Sequence, residues 1–274
     1  MNIFLAAAIV VVTTAVAVAA MLVVRRHAPD GSYFNDGDRA AGVFGVLATG
    51  FAVLLGFVVF LAFASYDAAR QGAETEARVV AQQVETAQLF PPAFVEPLTA
   101  GLVCYAYSVA GVQWQRMENG TIGDELNPWS VRLLQTLKGV DPQTPSEQAA
   151  YSKYLDERSD REQARNDRIH GAVGVIPLPL WIVLFFTSGL IFLYMLFFAD
   201  SGERALVQAM LMGTVVSVMV SLLLLLQFLD HPFHPGIGGL RPVAMERAIK
   251  VIDLQLDAVG LKLDLPCDSL GNPL

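Results

Sequence analysis

Asp, Glu, Lys, Arg and His are missing from four long apolar segments, which cover residues 3–24, 40–64, 173–199 and 205–229. A bilayer core about 30 Å thick needs about 20 apolar residues of helix, and every segment reaches that length. A soluble helix rarely stays apolar on all faces for so long. The first segment is also too long for the apolar core of a signal peptide. Each segment is therefore predicted to be a retained transmembrane helix in an all-α, polytopic membrane protein.

Basic charge is in short supply as well. The 274-residue chain has a formal net charge of −8 at pH 7, which argues against a nucleic-acid partner, because such proteins present a basic surface. The spans lack the ionisable residues that proton-coupled pumps and transporters place at mid-membrane. The sequence has no phosphate-binding glycine loop, dinucleotide fingerprint, nucleophile elbow or zinc-protease helix. It therefore predicts neither an enzyme nor a cofactor.

Cysteine is equally scarce, since Cys104 and Cys267 are the only two. Their spacing fits no metal-ligand pattern. They are predicted to be unconnected small hydrophobic side chains, with a single disulfide as the alternative. His231 and His234 flank Pro232, so they cannot share a regular helix face and are predicted to form a turn rather than a metal site.

The positions of the apolar segments divide the chain into four predicted parts. Residues 1–64 form a first transmembrane hairpin, 65–170 an inserted helical soluble domain, 171–229 a second hairpin, and 230–274 a tail with an amphipathic helix. The second span is expected to continue as one helix past Phe90, until the prolines that follow end it. Asn127 and Thr144 are predicted N-caps of two shorter helices in the insertion.

Two seams of small or apolar residues, spaced alternately three and four residues apart, follow the helical repeat. They are predicted to pack the tail helix on the soluble domain or on a neighbouring subunit. Glu74, Glu76 and Glu85 are interpreted as a solvated face, and the charged stretch from Arg158 to Arg168 as a face that docks a partner. The first seam is Ala73, Ala77, Val80 and Val84, and the second is Met245, Ile249, Ile252 and Leu256.

Lys and Arg near the spans predict the orientation in the membrane. More of them flank the spans on the side of the insertion than on the side of the hairpin loops, although Arg25 and Arg26 favour the reverse. Both termini and the inserted domain are therefore predicted to be cytoplasmic, at a bacterial inner membrane. The flanking residues are Arg70, Arg78, Lys153, Arg158, Arg161, Arg165, Arg168 and Arg241 on the insertion side, and Arg25, Arg26, Arg39 and Arg204 in the hairpin loops.

Landmark residues spread along the chain resemble the bestrophin-like domain family of bacterial and plant membrane proteins. They are Tyr66, Glu74, Glu76, Pro91, Tyr105, Trp114, Arg165, Arg168, Pro177, Trp181, Asp230, Pro232, Gly236 and Pro242. The family has no established activity, but its name implies remote similarity to bestrophins. Those are pentameric anion channels with four spans per subunit, a cytoplasmic domain after the second span and an apolar neck. Their calcium-binding acidic clasp has no match here, so calcium gating is not implied.

Two functions fit these patterns, and fold-level analogy does not choose between them. The first is a homo-oligomeric anion channel in the lipid bilayer. Its second span would carry helix-packing glycines at 42, 45, 50 and 56. The alternative is a non-conducting scaffold or sensor whose helical domain binds a protein partner. The predicted pore-lining residues of the channel are Phe51, Leu55, Phe57 and Phe60.

Overall fold

The computed structural model describes residues 3–29, 33–121, 126–172 and 174–274, which form two compact units. Unit 1 comprises Met1–Ser65 and Gly174–Asp230, and unit 2 comprises Tyr66–Val173 and His231–Leu274. Within the described ranges the fold is helical, and extended pairing is limited to an isolated bridge between Cys267 and Pro273. The helices are α1 (Ile3–Arg25), α2 (Gly37–Ala87), α3 (Pro92–Ser108), α4 (Trp114–Glu118), α5 (Pro128–Lys138), α6 (Pro145–His170), α7 (Leu178–Phe197), α8 (Ala205–Asp230) and α9 (Val243–Val259), with a π-helical turn at Val109–Gln113.

Unit 1 contains the helices predicted as membrane spans, namely α1, the first part of α2, α7 and α8, and each is long and apolar enough to cross a membrane. α1 packs along α8, where Ala17 and Met21 meet Met212 and Val216. The third apolar segment does not form a helix from its first residue, because α7 starts at Leu178 after a proline. Pro177 is the N-cap, and Pro179 lies in the first turn, where proline is tolerated because the first N–H groups of a helix are unpaired in any case.

Unit 2 is built around a helix that also looks like a membrane span. Pro92–Glu118, which covers α3, the π-helical turn and α4, meets the length and composition of a span. A helix that is apolar on every side is buried either in lipid or in a protein core. Here Leu98, Leu102 and Tyr105 are fully buried in a core shared with α2, α5 and α9. Its apolar composition therefore reflects the centre of the inserted domain.

Both predicted seams lie in the interior of unit 2, so the tail helix packs on the inserted domain of its own chain. α9 presents one apolar face to the core and ends at Gly260, whose φ of 69° is the left-handed conformation of a helix stop. The buried seam residues are Ala77, Val80, Val84, Met245, Ile252 and Leu256, and the partly buried ones are Ala73 and Ile249.

α6 lies against α2 at a glycine. A Cβ at Gly72 would lie 2.6 Å from Arg168 N and 2.8 Å from Ala164 O. Glycine inside a helix costs roughly 0.5–1 kcal/mol relative to alanine. The close approach of the two backbones explains why this position has no side chain.

The predicted helix starts in the insertion are confirmed. The Asn127 side chain accepts a hydrogen bond from Trp129 N at 2.8 Å. Thr144 and Glu147 make both hydrogen bonds of a capping box at the start of α6. These side chains satisfy backbone N–H groups that the helix itself leaves unpaired.

Two other predictions are wrong. Cys104 and Cys267 form a disulfide, so they are not separate thiols. They are 163 residues apart, and only the return of the tail to α3 brings them together, which their spacing cannot reveal. α2 ends at Ala87 rather than past Phe90, because residues 88–90 leave the helix in a turn.

Candidate pore helix and buried ion-pair network

The membrane part of α2 packs one face against its own protomer and leaves another open. Phe51 and Leu55 are 9% and 3% exposed, whereas Phe57 and Phe60 are 60% and 66% exposed. Since successive helix residues turn by about 100°, Phe60 lies on the side of α2 opposite Phe51. The four predicted pore-lining residues therefore do not share a face.

The packed face borders a half-open apolar groove of about 470 Å³ on unit 1. Phe51 and Leu55 of α2 line it together with Ile191 of α7 and Met219 of α8. These two side chains face the interior of the protomer, where they contribute to packing between the spans.

The open face of α2 is a stripe of exposed residues spaced three or four apart, as one side of a helix requires. The glycines of this span were predicted to let helices pack closely. A Cβ at Gly42, Gly45, Gly50 or Gly56 would meet no atom within 4 Å in the described chain. Among the described residues, these glycines therefore border open space rather than a closely packed helix. The exposed stripe is Val46, Gly50, Val53, Phe57, Phe60 and Ala64.

Unit 2 contains a fully buried ion pair between Glu76 of α2 and Arg168 of α6. Arg168 donates through Nε to Glu76 Oε2 and through Nη2 to Oε1, the latter at 3.1 Å. Tyr105 of α3 donates its hydroxyl to the same carboxylate. Burial raises the pKa of Tyr105 well above its usual value, so the hydroxyl keeps the proton that it donates. One carboxylate thus joins three helices.

A second buried arginine extends this network. Arg161 is fully buried, and its Nη1 donates to Gln83 Oε1 at 2.8 Å. Its guanidinium lies 4.7 Å from the centre of the Tyr105 ring, a cation–π contact. The Thr86 hydroxyl donates to Glu157 at 3.1 Å, and burial raises the pKa of Glu157 above its usual value.

The prediction of a solvated face is wrong for Glu76, whose buried carboxylate meets Arg168 and Tyr105. Arg161 and Arg168, which were expected on a face that docks a partner, are buried as well. Glu74 does follow the prediction, since its side chain is 60% exposed and pairs with Arg70. Inward and outward charges alternate along the same helices, and composition alone cannot separate them. Only the three-residue and four-residue spacing relative to the apolar seams could have identified the buried set.

The landmark residues of unit 2 form hydrogen bonds and an aromatic contact that fix turns in the tail. Tyr66 donates its hydroxyl to Gly238 O at 2.9 Å. The Trp114 ring packs edge-on against Phe233 with 5.2 Å between centroids, and Pro232 O accepts from Leu240 N at 2.8 Å. These contacts fold the first part of the tail onto α2 and α4.

The landmarks of unit 1 organise the start of α7. Asp230 Oδ1 accepts from Val175 N at 2.7 Å and from Ile176 N at 3.0 Å. Pro177 then begins the helix, and Trp181 stacks on Phe185 at 5.7 Å. The carboxylate at the end of α8 therefore pairs with backbone groups that enter α7.

The buried network provides packing and charge compensation between helices. Among the described residues, no group of three His, Cys, Asp or Glu side chains is placed to hold a metal ion. The Glu76 carboxylate is engaged by Arg168 and Tyr105, so its acceptors are directed into the protein. The network has the geometry of a structural clamp between helices.

A family profile described as the bestrophin-like domain matches residues 11–241. The chain belongs to the bestrophin-like family. The resemblance predicted from the landmarks is thereby confirmed, and this bestrophin-like protein is an integral membrane protein with long apolar helices. No curated protein sequence matches it significantly.

Solved structures share its fold. A variant of a bacterial bestrophin homologue from Klebsiella pneumoniae matches with a TM-score of 0.69 at 14% identity, over 92% of this chain and 99% of that chain. A second variant of that homologue matches with a TM-score of 0.68 at 14% identity, over 92% and 97%. A structure described as a membrane protein matches with a TM-score of 0.66 at 16% identity, over 95% and 99%. At such identities the likeness concerns the fold.

Proposed function

We propose that this bestrophin-like protein assembles into a homo-oligomeric anion channel whose pore is formed by the open face of α2. The proposal rests on that face, where Phe57 and Phe60 are exposed and Gly50 borders open space among the described residues. Copies arranged around an axis would cover it. Spans free of ionisable residues suit a pore that gates by a hydrophobic constriction. The bestrophin fold supports an anion as the permeant ion.

The pore-lining set differs from the one predicted from sequence. Phe57 and Phe60 stay in it, and Val46 and Val53 join them because they share the open face. Phe51 and Leu55 leave it and support the pore helix from within the protomer.

The scaffold alternative has less support. It depended on the two seams and on the charged face from Arg158 to Arg168, which would dock a protein partner. The seams lie inside unit 2, and Arg161 and Arg168 are fully buried, so the charged face is interrupted.

The disulfide bears on which side of the membrane holds unit 2. Disulfides persist in oxidising compartments and are rare in the cytosol, where cellular reductants keep thiols reduced. Short loops also weigh more than long ones in the charge rule, because long segments cross the membrane largely regardless of charge. The short hairpin loops contain Arg25, Arg26, Arg39 and Arg204. We therefore propose that these loops lie in the cytoplasm and unit 2 outside the inner membrane, the reverse both of the orientation predicted from the full count and of the cytoplasmic domain that the resemblance to bestrophins implies.

Chloride efflux from liposomes that contain the purified protein tests the channel. Efflux above that of protein-free liposomes is expected, together with an oligomer in native mass measurement. A monomer that releases no chloride would contradict the proposal. A conducting protein that prefers potassium over chloride would retain the pore and overturn the anion assignment.

A further inference from the structure

A cavity of about 240 Å³ lies within unit 2, between α4, α5, α6 and the end of the tail. Arg116, Arg165 and Arg168 line it, with Asn127 and Ser108 as further polar residues. None of its described lining residues is Asp or Glu. The cavity wall is therefore rich in positive charge and hydrogen-bond donors.

Two of these donors are left without partners in the protein. Arg168 is compensated by Glu76, but Arg165 forms no ion pair with any described residue, and its Nε has no hydrogen-bond acceptor. Asn127 is only 5% exposed, and its Nδ2 likewise lacks an acceptor. A buried donor without a partner costs about 1–3 kcal/mol, and a bound acceptor would remove that penalty.

The start of α5 adds to the positive electrostatic potential of this cavity. Asn127 is the N-cap of this 11-residue helix, and its Oδ1 is already occupied by Trp129 N, which leaves the amide NH2 as its available group. The N-terminal end of a helix carries a partial positive charge that favours anions. The helix end, the Arg165 guanidinium and the Asn127 amide thus line one cavity.

The opposite wall is a fixed part of the tail. Gly271 has a φ of 81°, and a Cβ there would lie 2.1 Å from Ser108 N, so only glycine fits. Its carbonyl accepts from Trp129 Nε1 at 2.7 Å. The Cys104–Cys267 disulfide attaches the same segment to α3. One wall of the cavity is therefore a segment of the tail that is held in place on both sides.

We infer that this cavity binds a small oxyanion, a carboxylate or a phosphate, through Arg165 and Nδ2 of Asn127, with the helix dipole of α5 adding positive potential beside them. Guanidinium groups and helix N-termini recognise both kinds of oxyanion. The volume lies below the usual range for drug-sized ligands, which selects a ligand of few atoms. This site is independent of the pore and does not require that the protein conduct.

Calorimetric titration of the full-length protein in detergent with inorganic phosphate and, separately, with succinate tests the inference. Saturable binding of at least one of the two probes is expected. Binding of phosphate only, or of succinate only, would identify which kind of oxyanion the cavity takes. Arg165→Gln is expected to weaken binding by about tenfold or more, since a hydrogen bond to a charged group is lost. Arg158→Gln, two turns earlier on α6 and outside the cavity lining, is the matched control and should bind like the wild type.

A second variant separates binding from folding. Asn127→Asp keeps the oxygen that caps α5 but replaces the amide donor with a negative charge, so binding should be lost while the melting temperature without ligand is retained. Absence of saturable binding for both probes would overturn the inference. Equal binding by the wild type and Arg165→Gln would also overturn the inference if sodium chloride gave the same titration heat. That result would show a general effect of ionic strength and no specific site.

Discussion

Arg168 of α6 and Glu76 of α2 form a two-point ion pair in which neither side chain is exposed. Removing one partner from such a pair leaves an uncompensated buried charge, which typically costs about 3–5 kcal/mol. Arg168→Met should therefore lower the stability of the purified protein by several kcal/mol, measured by chemical unfolding in detergent. The control Arg158→Met should change it by less than about 1 kcal/mol.

The double variant Glu76→Leu with Arg168→Met removes both charges together. It should recover most of the lost stability, because apolar residues of similar volume often replace a buried ion pair at little cost. A double variant as unstable as Arg168→Met alone would show that charge compensation is not what holds α2 and α6 together here.

The pH dependence of stability should contain a contribution from Glu157. Its pKa is raised by burial, so the folded protein holds this proton more tightly than the unfolded chain, where the pKa is about 4.3. The associated stability is present below that value and is lost as pH rises through the raised pKa. Glu157→Gln should therefore gain stability relative to the wild type as pH rises across this window.

Thermal unfolding between pH 4 and pH 8 measures that difference. The exposed neighbour Asp156 supplies the control, and Asp156→Asn should follow the wild type at every pH. A difference in melting temperature between Glu157→Gln and the wild type that stays constant with pH would contradict a raised pKa for the Glu157 carboxyl.

The entry to α7 depends on one carboxylate, since Asp230 Oδ1 accepts from the backbone of Val175 and Ile176. Asp230→Ala leaves these donors unpaired and should destabilise the protein by about 1–3 kcal/mol. Asp230→Asn keeps an acceptor oxygen and should lose much less. Thermal unfolding of the two variants checks the order, and equal losses would show that charge rather than hydrogen bonding matters.

The oxidation state of Cys104 and Cys267 in living cells reports the compartment of unit 2. With unit 2 outside the inner membrane, both cysteines should resist a thiol-reactive polymer after acid quenching and should react only after reduction. Cys104→Ser leaves one free thiol and should react without reduction, which controls for access. Two reactive thiols in unreduced wild-type cells would return unit 2 to the cytoplasm.

The sequence predicted the elements of the fold well because its signals are local. Charge-free segments identify the spans, and Asn127, Thr144 and Gly260 carry the chemistry of helix ends. The seams on α2 and α9 repeat with the helical period, so they indicate buried faces before any partner is known.

Contacts between distant parts of the chain could not be predicted from these local signals. The disulfide depends on the tail returning to α3. The buried residues Glu76, Arg161 and Arg168 are of the same types as their exposed neighbours, so composition does not separate them. A span that is apolar on every side does not reveal which of its faces packs against its own protomer. For that last reason Phe51 and Phe60 could not be assigned to opposite sides of α2 from the sequence.

Chemical access to α2 in the conducting protein tests the pore assignment most directly. Phe57→Cys in liposomes should react with a charged, membrane-impermeant thiol reagent, and the reaction should reduce chloride efflux. Phe51→Cys, on the face packed within the protomer, should neither react nor change its efflux, and the native cysteines are protected in their disulfide. Efflux blocked through Phe51→Cys but not through Phe57→Cys would contradict a pore formed by the open face of α2.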